Sequence, residues 1–132
     1  MSGKYLIDTN IVIALFNGDP DISDWLREAG EVHLCTVVIG ELYYGAYTST
    51  KRKENLAKLE EFVISSSILE PDITTAREYG IIKSDLRKKG SPIPENDIWI
   101  AALAKQYGLL LYTGDGHFRN IPGVNAVIRK IR

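Results

Sequence analysis

A chain of 132 residues, 45% hydrophobic and 25% charged, has the composition of one folded domain with a real core and leaves little room for two. Lys and Arg number 16 against 17 Asp and Glu, a net charge of -1, which excludes a global basic field for nucleic acid but not local basic patches. Cys35 is the single cysteine, so no disulfide can close within the chain. The apolar stretch after Lys4 is broken at Asp8, and no run approaches the roughly 20 residues of a membrane span. A soluble cytoplasmic protein is expected.

In chain order, "YLI" (5–7), "VHLC" (32–35), "SILE" (67–70), "LLLYT" (109–113) and "AVIRKI" (126–131) read as strands. Their near-continuous apolar composition suggests burial on both faces, as in a parallel sheet. Between them lie helical patterns. "IVIALFNG" ends at Gly18, and "DISDWLREAG" has an acid-rich first turn and Gly30 at its end. "TVVIGELYYGAY" follows a capping-type Thr36, and "KRKENLAKLEEFVI" carries Leu56, Leu59, Phe62 and Val63 at helical spacing. "TTAREYGIIKSDLRKKG" stops on basic residues and Gly90; "SPIPE" is a rigid connector; "DIWIAALAKQYG" stops at Gly108. Strands separated by helices imply right-handed crossovers and a helix–sheet–helix sandwich, an α/β domain.

Ligands of open α/β sheets gather at the carboxyl ends of the strands. Asp8 follows "YLI" and Asp115 follows "LLLYTG", so both belong to that edge, although Asp is also a common turn former there. Glu41 shares a helix face with Val37, Val38, Tyr44 and Gly45, where an unpaired carboxylate is costly. Pairing with a base, or a place at the margin of the stripe, is the plain alternative. Asp97 aligns with Ile100, Ala101 and Ala104; a first-turn dipole role is its alternative, with Asn96 available as the cap.

Taken together, Asp8, Glu41, Asp97 and Asp115 can converge on one pocket, where their repulsion calls for a cation. An all-oxygen acidic cage selects Mg²⁺ or Mn²⁺ and suits phosphoryl chemistry, whereas one Cys and two scattered His fit zinc poorly.

The order and wording of these segments resemble the PIN-domain ribonucleases, and within them the VapC-type toxins of type II toxin–antitoxin pairs. "YLIDTNIVIALF" resembles the opening signature with Asp8, "TVVIGELYYGA" the second with Glu41, and "ENDIWIAALAKQYGLLLYTGDGHF" the third and fourth with Asp97 and Asp115. The likeness covers nearly the whole chain and implies residues 1–132 as a single PIN-like domain, a three-layer sandwich with a mainly parallel central sheet. It implies Mg²⁺- or Mn²⁺-dependent endonucleolytic cleavage of RNA, with water attacking the scissile phosphate, the 3′ oxygen leaving and a 5′-phosphate product. A cognate antitoxin whose C-terminal segment lies over the active site, and a homodimer, are implied as partners. Thr9, Asn10 and Thr113 are implied as supporting groups that orient carboxylates or water. Gly114 departs from the pattern, standing where a basic or polar residue is often found. With glycine on both sides of Asp115, a mobile loop is expected. His117 and Phe118 stand where some relatives place an additional acid.

Other residues carry plainer readings. His117 is expected to be a surface loop residue, His33 structural, and Cys35 a buried small hydrophobe. "DPDISD" (19–24) lacks the glycine and glutamate of a calcium loop. "KRK" (51–53) and "RKK" (87–89) are solvated helix ends or RNA-backbone contacts. Phe16, Trp25 and Leu26 belong to the core or to an antitoxin groove. Rival functions are a catalytically silent RNA-binding or scaffold domain and an acidic-site phosphatase or receiver. The latter lacks a second acid two residues past Asp8, where Asn10 stands, and lacks a strand-end Lys.

Overall fold

Lys4–Ile7 forms β1, the middle strand of the sheet, and its Tyr5, Leu6 and Ile7 are all buried. Neighbours on both edges and helices on both faces explain why this strand reads as an unbroken apolar run. It pairs in parallel with β2 (Glu31–Cys35), Leu6 opposite His33, and with β4 (Leu110–Thr113), Ile7 opposite Tyr112. Outside these lie β3 (Ser67–Leu69), with Cys35 opposite Leu69, and β5 (Asn125–Ile128), with Thr113 opposite Ile128. The order is β3-β2-β1-β4-β5, every pair parallel. This computed structural model describes residues 3–131; residues 1, 2 and 132, part of the expected domain, lie outside the described residues.

Among the described residues six α-helices flank the sheet, as the alternation of strand and helix patterns requires: α1 (Thr9–Phe16), α2 (Pro20–Glu28), α3 (Thr36–Thr48), α4 (Arg52–Ile64), α5 (Ile73–Lys89) and α6 (Glu95–Tyr107). The expected three-layer α/β sandwich is the observed one. Its core joins Leu6, Ile7, Val12, Leu34, Val38, Ile100, Leu103 and Leu111, each at 1% exposure or less. α6 is buried nearly all round through Ile98, Ile100 and Leu103 together with Ala101, Ala102 and Ala104, whose small side chains let it lie close to the sheet. Trp25 packs edge-on against Tyr5 and Tyr112, and Phe16 against Phe62; both are half-buried side chains resting on the core, and Leu26 is half-buried too. Among the described residues no helix is long and apolar enough to cross a membrane.

Helix ends follow local chemistry. The Asp72 carboxylate accepts from Thr75 N at 3.1 Å while Thr75 Oγ1 accepts from Asp72 N at 2.9 Å, a reciprocal cap that starts α5. Gly90 and Gly108 close α5 and α6 at φ 66° and 63°, a left-handed turn that glycine adopts without steric cost. Two capping expectations fail. α3 begins on Thr36 itself, directly after Cys35 with no side-chain cap. α6 begins at Glu95 after Pro94, so Asn96 lies inside the helix and caps nothing. In both places the backbone arriving from an extended residue sets the first turn, and a polar side chain is not needed.

Candidate active site

β1 and β4 end side by side at the same sheet edge. β1 stops at Ile7 and α1 starts at Thr9, so Asp8 is the whole connection and is held by both elements. Its N–H donates to Tyr112 O at 3.0 Å, extending the ladder by one residue, and its Oδ1 accepts from Thr9 N at 2.8 Å. Asp8 is 3% exposed, so its carboxylate relies on protein donors for solvation. Thr113, at the end of β4, donates its hydroxyl to Asp8 Oδ2 at 2.7 Å and accepts from Asp115 N at 3.0 Å. Asn10, in the first turn of α1, spans the same gap. Its Nδ2 donates to Asp115 Oδ2 at 3.3 Å, with a longer contact of 3.5 Å to Asp8 Oδ2, and its Oδ1 accepts from Gly114 N at 2.9 Å.

Glu41 and Asp97 close the cleft from the helices. Thr9 Oγ1 donates to Glu41 Oε1 at 3.0 Å, linking α3 to the β1 edge. Glu41 is half-buried at the margin of the apolar stripe: Val38 and Leu42 are buried, but Tyr44 and Gly45 face solvent, so the shared face expected from the spacing is only partly inward. Asp97 projects from the first turn of α6, where the expected neighbours Ile100, Ala101 and Ala104 are buried. Asp8, Glu41, Asp97 and Asp115 line one open cleft of about 450 Å³ with Thr9, Asn10 and Ile13 on one side and Pro94, Glu95 and Asn96 on the other.

The electrostatics follow from this crowding. Burial pushes the Asp8 carboxyl up, and the Asp115 charge adds to it, against the lowering hydrogen bonds from Thr113 and Thr9. Burial likewise raises Glu41, helped by Asp8. Asp97 is pushed up to about 6, first by burial and then by Asp8. Burial takes the Cys35 thiol to about 11, which fits a packed hydrophobe and not a nucleophile.

The loop after β4 differs from expectation. Gly114 is tied to Asn10, Asp115 to Thr113, and Phe118 is fully buried, so the segment is anchored at both ends. A Cβ at Gly114 would stand 2.8 Å from Ile131 Cδ1 and 3.4 Å from Asn10 Cγ, a close approach that glycine permits. The turn carries His117 back over the cleft, with Nε2 2.8 Å from Asp97 Oδ2. His117 is thus not the isolated loop residue that its position suggests. Asp97, Asp115 and His117 each offer a ligand atom within 4.8 Å of the others. His33, by contrast, pairs with Ser67 and Glu31 at the strand edge, as a structural residue does.

Known proteins share this architecture. The sequence profile of the PIN domain matches residues 5–124. The chain belongs to the PIN-domain family. It is 39% identical to ribonuclease VapC2 of Haemophilus influenzae over 114 residues, 85% of this chain and 86% of that one. It is 31% identical over 124 residues to the tRNA(fMet)-specific endonuclease VapC of Salmonella typhimurium, covering 92% of this chain and 94% of that one. The DNA-bound VapBC crystal structure from Salmonella typhimurium superposes with a TM-score of 0.86 at 29% identity, covering 97% of this chain and 98% of that one. This PIN domain is therefore of the VapC type, and the receiver or phosphatase reading is set aside. PIN-domain nucleases use divalent metals, and the donor set here fits such an ion: carboxylate oxygens with raised affinity for protons, one imidazole, and, among the described residues, no Lys or Arg lining the cleft.

The sequence did not single out Glu95 as part of the cleft wall. Its carboxylate faces away toward Tyr79 and Lys83, which hold it by hydrogen bonds, and no spacing signal separates it from Asp97 two residues on.

Proposed function

We propose that this chain is the toxin of a type II toxin–antitoxin pair, an endoribonuclease that hydrolyses RNA phosphodiester bonds with Mg²⁺ or Mn²⁺. One observation carries the reading: the carboxyls of Asp8, Glu41 and Asp97 are all raised by burial in a shared cleft that, among the described residues, has no Lys or Arg on its wall. Such a cluster is relieved by a cation, and its oxygen donors suit a hard one. The names of the relatives, ribonuclease VapC2 and tRNA(fMet)-specific endonuclease VapC, support the reaction class, and the VapBC complexes support an antitoxin as partner.

On this reading Asp8, Glu41, Asp97 and Asp115 are the catalytic and metal-holding residues. A divalent ion held by them would supply Lewis acidity toward the phosphate and would lower the pKa of a water so that it could lose a proton and act as the nucleophile. Thr113 and Asn10 fix Asp8 and Asp115 relative to each other, and Thr9 fixes Glu41, so the carboxylates face the cleft without rearranging. Water adds to phosphorus, the bond to the 3′ oxygen breaks, and the products are a 5′-phosphate and a 3′-hydroxyl. An apolar groove of about 270 Å³, bordered by Ile13, Phe16, Leu42 and Leu59, opens beside Glu41 and is the surface assigned to the antitoxin segment. Residues 1–132 act as one PIN-like domain, as a homodimer in the cytoplasm.

Calorimetric titration of Mn²⁺ into wild type and Asp97→Ala tests the assignment. Wild type takes up the ion in the cleft, and the variant loses affinity at least about tenfold. Equal affinity in the two proteins would remove Asp97 from the metal site.

A further inference from the structure

The carboxylates of the cleft have a neighbour of a different kind. His117 stands at the rim with Nε2 2.8 Å from Asp97 Oδ2, its side chain 33% exposed and that of Asp97 13%. The imidazole is held from its own turn. It lies against the Phe118 ring with centroids 4.6 Å apart, and Phe118 is fully buried. The short turn Gly116–Phe118 is closed by Arg119 N donating to Gly116 O at 3.2 Å, and its entry is fixed by Asp115 N donating to Thr113 Oγ1 at 3.0 Å. His33, the other histidine of the chain, pairs with Glu31 and Ser67 and is not among the residues lining the cleft.

Two distances bear on what His117 can do there. Donors at right angles on one ion, each about 2.1 Å from it, stand about 3 Å apart, and opposed donors about 4.2 Å. The His117–Asp97 separation of 2.8 Å matches the first. Ligand atoms of Asp97, Asp115 and His117 all fall within 4.8 Å of one another. A shift of about half an ångström therefore brings the three within reach of one ion.

We infer that His117 is a nitrogen ligand of the divalent ion and makes this cleft select Mn²⁺ over Mg²⁺; the inference rests on the metal reading of the cleft. Carboxylates alone separate these ions little, because both are cations that carboxylate oxygen suits. An imidazole changes the balance. Mg²⁺ keeps to oxygen donors and dehydrates reluctantly, whereas affinity for nitrogen-bearing sites rises from Mn²⁺ through Co²⁺ to Ni²⁺. His117 thus adds affinity in that order and adds almost none for Mg²⁺, which the carboxylates still hold more weakly. A histidine that only steadied Asp97 through a hydrogen bond would act on every ion alike.

The test reads metal binding on the full chain without RNA, at about pH 8 because a ligating imidazole must be unprotonated. Calorimetry compares Mg²⁺, Mn²⁺ and Co²⁺ in wild type, His117→Gln and His33→Gln. Glutamine keeps an N–H for Asp97 and removes the imidazole nitrogen. His117→Gln should lower Mn²⁺ affinity about tenfold and Co²⁺ affinity by about tenfold to a hundredfold, with Mg²⁺ affinity within about twofold of wild type. Pulsed electron paramagnetic resonance of bound Mn²⁺ should show imidazole nitrogen coupling in wild type and His33→Gln, and none in His117→Gln. The spectra of wild type and His33→Gln decide the matter even where His117→Gln does not fold. Mn²⁺ bound without nitrogen coupling overturns the inference, as does a coupling that vanishes in His33→Gln or survives in His117→Gln. Unchanged Mn²⁺ affinity in His117→Gln, or an equal loss for all the ions, overturns it too. In each of these cases the metal reading of the cleft stands. Failure of that reading looks different: wild type takes up none of the ions, which overturns both.

Discussion

Asp8 owes its character to its surroundings more than to its type. At 3% exposure with three donors near its oxygens, it is oriented before any substrate arrives. Thr113 is the hinge of that orientation, because one hydroxyl donates to Asp8 and accepts from Asp115 N. Thr113→Val keeps the shape and removes both bonds. It should lower Mn²⁺ affinity and cleavage rate by about tenfold to a hundredfold, with the fold retained by circular dichroism. Asp97 gives a pH signature. Its carboxyl titrates near 6 when folded and at 3.8 as the reference value, so the folded chain holds the extra proton between these limits. Stability of the metal-free protein should therefore fall as pH rises from about 4 to about 6 and level off above. Added Mn²⁺ should restore it only on the high-pH side, where the ligands are ionised. Thermal melts across pH, with and without Mn²⁺, check both halves. "YLIDTN" by itself fits a turn and a ligand equally, and the place of His117 is not legible in the sequence because the turn that returns it over Asp97 depends on Phe118 reaching the core, a contact between segments that no spacing reveals.

At the scale of elements, the strands and helices were legible because each carries its own period and stop. Gly90 and Gly108 end α5 and α6 where their positions say they should. Boundaries that depend on a neighbour were less legible: β5 ends at Ile128, three residues short of the expected Ile131, whose side chain lies against Gly114. The start of α6 moved to Glu95 because Pro94 supplies an extended residue, which a count of polar caps does not register. Asp72 offers a test of an element away from the cleft. Asp72→Ala removes the reciprocal cap of α5 and the acceptor for Gln106, and should lower the urea unfolding midpoint. Mn²⁺ affinity should stay at the wild-type value, since Asp72 is not among the residues lining the cleft.

For the whole molecule, the decisive fact is topological. With β1 between β2 and β4, the carboxyl ends of the central strands adjoin, and the helices that follow them start there. Residues as distant in sequence as Asn10 and Asp115 then meet at 3.3 Å. The fold class was legible from alternation alone, and the convergence of the acids was legible once their order along the chain matched the PIN-domain pattern. The solvent face of α3 was not, because exposure of Tyr44 and Tyr47 depends on which side of the helix the sheet covers.

The central claim is that the acid cleft cleaves RNA with a divalent ion. Incubating purified wild type and Asp8→Asn with bulk tRNA, in Mg²⁺ and in EDTA, and sequencing the new 5′ ends tests it most directly. Wild type in Mg²⁺ should give discrete 5′-phosphate ends, lost in EDTA and reduced by orders of magnitude in Asp8→Asn, whose melting curve stays cooperative. Equal cleavage by wild type and Asp8→Asn, or undiminished cleavage in EDTA, would contradict the account.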